Sequence, residues 1–143
     1  MTFKRCAALA AITLSLAAQT RETYKARLSA VPADARTRAA LAGIGSVTAT
    51  LDGAKLALTG SFEGLVSSAT TANLHSAPAA GVRGPAIADL TVPKATSGMI
   101  TGSVDLTPPQ ITSLQHGGLY VELHSEKAPE GVLWGWLLKN SQK

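Results

Sequence analysis

The chain has 143 residues, with 13 Lys and Arg against 9 Asp and Glu, and its formal charge is +4. Apart from the adjacent Lys4 and Arg5, the cations are scattered singly, which argues against a nucleic-acid partner, because phosphate-backbone binding needs a basic face. With 45% hydrophobic and 15% charged residues, the composition is that of a globular chain able to bury a core.

Lys4 and Arg5 precede an apolar run from Cys6 to Ala18 that is too short to anchor a chain across a bilayer. Residues 1–17 read as a signal peptide, with small residues at Ser15 and Ala17 placing the cut after Ala17. The competing reading is a short membrane anchor or a buried helix. Cys6 opens the run, whereas a lipid-modified cysteine would sit at its end. Residues 18–143 are then a single exported domain, periplasmic or extracellular, with no membrane span after cleavage. Cleavage removes the only cysteine, so no disulfide can form and stability must come from a hydrophobic core.

The dominant period in the exported part is two, the spacing of strands with one buried face. Tyr24, Ala26, Leu28 and Ala30 alternate with Lys25, Arg27 and Ser29, which predicts a first strand ended by Val31-Pro32. Asp34 to Leu41 fits either a short helix capped by Asp34 or an extended loop. Val47, Ala49 and Leu51, then the Asp52-Gly53 turn, then Leu56, Leu58 and Phe62 predict a hairpin. Further strands are expected over Ser67–His75, Ile87–Val92 and Ile100–Leu106, with Gly81 to Pro85 as a loop. Thr107 and Pro108 open one or two helical turns carrying Ile111 and Leu114, which Gly117-Gly118 stop. His116, in the last turn, suits the negative end of the helix dipole. Leu119–His124 and Val132–Leu138 form the last pair of strands. About eight strands and almost no helix predict an all-β antiparallel Greek-key sandwich or flattened barrel.

Two stretches carry a resemblance. Leu74-His75-Ser76-Ala77-Pro78 runs into Gly81-Val82-Arg83-Gly84-Pro85, and Gly118-Leu119-Tyr120-Val121-Glu122-Leu123-His124 is followed by Gly131-Val132-Leu133-Trp134-Gly135-Trp136-Leu137. Together they resemble the chordin-type (CHRD) domain. The resemblance extends from Tyr24 to Leu138 and implies a barrel related to that of copper/zinc superoxide dismutases, a relation of fold that confers no function. It departs from the family at two places. Family members often carry His-x-His where Asn73-Leu74-His75 stands, and their closing strand reads Gly-Glu-x-Arg-Gly-Gln, where this chain has Val132, Trp134 and Trp136 at the polar positions.

Among the residues able to carry chemistry, His75 and His124 alternate with leucines and so face away from the core, with Glu122 pointing the same way as His124. If their strands are neighbours, His75, His124 and Glu122 make a tentative copper or zinc site. The plainer reading has the histidines bonding loop carbonyls and, with Tyr120, fixing the Gly/Pro loop. No hydrolase motif or phosphate loop occurs, so the expectation is no enzyme and no cofactor. Glu122, Glu126 and Glu130 read as a solvated rim. If Leu133, Gly135 and Leu137 face inward, then Val132, Trp134, Trp136 and Leu138 line the outer face as a contact surface for a protein partner or a second copy. The competing expectation covers that face with residues 33–44, through Ala39, Ala40, Leu41 and Ile44.

Overall fold

The computed structural model describes residues 20–140, so the expected cleavage after Ala17 lies outside the described residues. Strand β1 (Glu22–Ala30) buries Tyr24, Ala26 and Leu28 and exposes Lys25, Arg27 and Ser29, as its alternation requires. The stretch after it is neither a full helix nor wholly extended. It holds one 3-10 turn, Arg38–Ala40, initiated by Asp34, whose Oδ1 accepts from the Arg36 and Thr37 amides at 2.8 Å.

Strands β2 (Ile44–Asp52) and β3 (Lys55–Glu63) pair continuously from Ile44↔Glu63 to Asp52↔Lys55. Gly53 turns the chain between them at φ +63°, a conformation glycine adopts without steric cost. Strands β4 (Ala69–Ser76), β5 (Ala86–Leu90) and β6 (Gly98–Asp105) follow. Helix α1 (Pro108–Gln115) is closed at its start by a capping box between Thr107 and Gln110 and ends at His116 and Gly117, the latter at φ +75°. Its fully buried Leu114 joins the core.

The chain closes with β7 (Leu119–Ser125), β8 (Ala128–Trp136) and the two-residue β9 (Leu138–Lys139). The expected single strand Val132–Leu138 is corrected in two ways. It begins earlier, at Ala128, and it breaks at Leu137, after which Leu138 pairs with Lys25 of β1.

The strand order is β5-β4-β7-β8-β1-β2-β3-β6, antiparallel throughout, with β9 added to β1. A bridge between Thr91 and Thr101 joins the two ends, so the sheet is a nearly closed, flattened barrel. β1 turns the corner: its first half pairs with β9 and only Ser29 and Ala30 pair with β8. Inside lie Leu28, Leu56, Leu74, Ile100, Leu123 and Leu133, all essentially inaccessible. Truncating any of these leucines to Ala costs about 2–5 kcal/mol from lost burial and the cavity left behind. No helix among the described residues is long and apolar enough to cross a membrane.

Candidate functional site

The outer face of β4, β7 and β8 carries two rows of side chains set by strand register. One row is His75–Tyr120–Trp136 and the next is Asn73–Glu122–Trp134. Alternation places all six outside the barrel, yet Tyr120 and Glu122 are 0% and 1% exposed. Residues 77–85, between β4 and β5, supply part of the cover. The Tyr120 hydroxyl donates to the Gly84 carbonyl at 3.2 Å and accepts from the Gly84 amide at 3.1 Å. His75 Nδ1 lies 2.9 Å from the same carbonyl, which can only accept, so that nitrogen carries the hydrogen.

The rings of the first row form a continuous stack. His75 lies on Tyr120 with centroids 4.7 Å apart, and Tyr120 lies on Trp136 at 4.8 Å. Trp134 meets Trp136 edge to face at 4.7 Å and Tyr120 at 6.1 Å. Each such pair contributes about 0.5–1.5 kcal/mol beyond the area it buries. The stack therefore holds both indoles in fixed orientations, half-buried.

Arg83 completes the second row from the loop. Its guanidinium donates to Glu122 Oε1 at 2.7 Å and sits 5.2 Å from the Trp134 ring centroid, a cation–π contact. Arg83 stays 52% exposed at its side chain while Glu122 is enclosed. Gly131 makes the enclosure possible. At φ +123° its backbone suits glycine alone, and a Cβ there would collide with Glu122 Oε1. Gly135 has the matching role at the corner, where a Cβ would strike the Arg27 carbonyl of β1.

The structure sorts the residues singled out from the sequence. His75 and His124 do lie on adjacent strands of one outer face, but His124 is opposite Thr71 and His75 opposite Tyr120. Four residues of strand separate those rungs, about 13 Å of backbone, and each imidazole turns its Nδ1 to a different carbonyl. His124 Nδ1 instead donates to the Pro129 carbonyl at 2.9 Å, and Glu122 is held by Arg83. Among the described residues no group of three or more His, Cys, Asp or Glu is arranged to hold a metal ion. His75 bonds a loop carbonyl, as the plainer reading has it, whereas His124 bonds a carbonyl at the start of β8.

On the last strand, Leu133, Gly135 and Leu137 are buried, Trp134 and Trp136 half-buried on the outer face, and Leu138 56% exposed. Val132 departs from expectation, for it is 0% exposed. Its carbonyl accepts from the Val31 amide at 3.1 Å, and Val31, Pro32, Thr37 and Leu41 line one recess with Ala128–Gly131. Ala40 and Leu41 thus pack as a cover would, whereas Ala39 and Ile44 are exposed. The outer face of the strand is thus enclosed at Val132, half-open at Trp134 and Trp136, and exposed at Leu138. Arg83 escaped sequence reading, because a lone Arg in a Gly/Pro loop carries no signal of where its head group lands.

Residues 24–137 match the family model of the CHRD domain, and the chain belongs to that family. No curated protein matches it significantly, and no solved structure does.

Proposed function

We propose that this CHRD domain is an exported, non-enzymatic module that works by protein contact, holding a partner or a second copy of itself against the outer face of its closing strands. The observation that carries this reading is the ring shelf of Trp134 and Trp136, half-buried, locked by Tyr120 and continued by exposed Leu138. Pre-oriented indoles lose little side-chain freedom on binding, which is why such residues dominate contact energies. Export is supported by the Lys4-Arg5 leader and by a family whose members occur in secreted and extracellular proteins. The non-enzymatic reading is supported by the spacing of the histidines, since the His75 and His124 rungs stand four residues apart along β4 and β7 and bring no third ligand or catalytic partner with them among the described residues.

The test is size-exclusion with light scattering, joined to affinity capture from the exported protein fraction, on the wild type and two variants. Trp134→Ser with Trp136→Gln removes the shelf, and Leu138→Ser removes an exposed residue outside the ring stack. Both are expected to lose association, and Leu138→Ser should do so with its melting temperature unchanged. A wild type that is monomeric and recovers no partner overturns the reading, as does association that survives both variants.

A further inference from the structure

β1 and β8 pair only at Ser29 and Ala30 before β1 turns to β9, and their divergence opens a groove on the outer surface. Lys25, Arg27 and Ser29 form one bank and Trp134, Trp136 and Leu138 the other, around about 420 Å³. Gly135 is the floor, where the two backbones approach too closely for a side chain. The groove is therefore half apolar and half cationic.

Lys25 and Arg27 are both exposed, and neither forms an ion pair among the described residues. No carboxylate lines the groove. Arg83, over the Trp134 ring at 5.2 Å, is already paired with Glu122, so Lys25 and Arg27 are the cations that the groove itself offers. We infer that the occupant is an acidic, extended peptide segment of a partner protein, an inference that rests on the protein-contact reading above. Lys25 and Arg27 are two residues apart on a strand, so their head groups repeat at about 6.6 Å. An extended peptide repeats its same-side residues at that spacing. Carboxylates at alternate positions meet the two cations in turn, and the intervening apolar side chains fall on Trp134, Trp136 and Leu138.

Other anionic occupants fit less well. A glycan must replace many hydroxyl hydrogen bonds, and Ser29 is the one hydroxyl residue lining the groove. A lipid surface needs protruding apolar residues, yet the indoles are half-buried and only Leu138, at 56%, stands clear.

The test uses the exported chain and fluorescein-labelled peptides of alternating Glu and Leu, alternating Ser and Leu, and alternating Lys and Leu, read by fluorescence anisotropy. The Glu peptide is expected to bind at least tenfold more tightly than the Ser peptide. Its affinity should fall several-fold as ionic strength rises from about 0.1 to about 1 M and the screening length shortens to about 3 Å. Lys25→Glu with Arg27→Glu should abolish the preference for the Glu peptide and confer one for the Lys peptide. Trp134→Ser should weaken all peptides that bind. Equal binding of the Glu and Ser peptides overturns the inference, as does binding unchanged in the charge-reversed variant, or no binding by any peptide. Tighter binding to phosphatidylserine vesicles or to a sulfated oligosaccharide also overturns it. If the charge reversal is inert while Trp134→Ser abolishes capture of a partner, the acidic inference alone fails; if Trp134→Ser and Leu138→Ser are both without effect, the contact reading fails as well.

Discussion

Removing the Arg83 side chain tests the site where its geometry is most demanding. Glu122 is 1% exposed and Arg83 is its only hydrogen-bonding partner among the described residues, so Arg83→Ala leaves a carboxylate enclosed without a counter-charge. Breaking a fully buried pair from one side costs about 3–5 kcal/mol. Here the guanidinium is 52% exposed and water can follow it out, which lowers the expected loss to about 2–3 kcal/mol, the cation–π contact with Trp134 included. In urea, with a slope of about 1–3 kcal/mol per molar, the midpoint should fall by about 1 M or somewhat more. Glu122→Gln removes the charge but keeps an oxygen for Arg83, so it should cost about 1 kcal/mol or less. The double variant should then be more stable than the sum of the single losses predicts, by about 1–2 kcal/mol. An Arg83→Ala midpoint within about 0.5 kcal/mol of wild type, or strictly additive losses, would refute the argument that Glu122 depends on the loop for its charge balance.

Gly131→Ala should destabilise by about 2 kcal/mol or more in the same titration, because φ is +123° and the new methyl strikes the Glu122 carboxylate; pairing it with Glu122→Ala should recover part of the loss. Tyr120→Phe removes the hydroxyl that bonds both sides of Gly84, and hydrogen exchange at the Gly84 amide should quicken at least tenfold while amides of β2 and β3 stay unchanged. The Lys139 ammonium at 2.8 Å and the Tyr24 hydroxyl at 2.6 Å hold the Glu22 carboxyl below its usual range. Its stabilising effect is thus full above the ordinary Glu value near 4.3 and fades as pH falls through the lower folded value. Glu22→Gln should flatten the acid limb of a stability–pH curve below about pH 4, and an unchanged limb would contradict this. Burial, and then the bond to Glu22, push the Tyr24 phenol well above its ordinary range, so its absorbance should show no ionisation up to about pH 11 in the folded protein.

Much of the barrel was legible because its cues are local. Alternation at Tyr24–Leu28 and Val47–Leu51, the Asp52-Gly53 turn and the Thr107-Pro108 helix start each act within a few residues and appear where expected, whereas Ala30, expected on the buried face, is exposed. What escaped depends on the packing of distant segments. Val132 has the parity of an outer residue but lies where the chain from Val31 to Leu41 comes back over β8. Leu138 leaves the strand of Trp136 because β1 turns the corner and offers Lys25 as its partner. Histidine adjacency was readable as strand order, but the four-residue stagger between His75 and His124 was not, since register across β4 and β7 is set by the whole pair.

The motif that marks the family now has a physical content in this chain. His75, Gly84 and Tyr120 fasten the loop, Gly131 makes room for the Glu122 carboxylate, and Gly135 lets β8 meet β1. These residues make the outer face rigid without dictating what it binds. The positions that depart from the pattern are the ones that give it character. Trp134 stands directly opposite Glu122, and the guanidinium that meets the carboxylate comes from the loop as Arg83. The charge on Glu122 is met from the loop, while the strand position carries an indole. Trp136 lies beside Tyr120 and extends the stack by one ring. Trp134 and Trp136, with Arg83 over the first of them, make the outer face an aromatic shelf. The core lies inside the barrel, so an exposed outer residue such as Leu138 can vary without disturbing the fold.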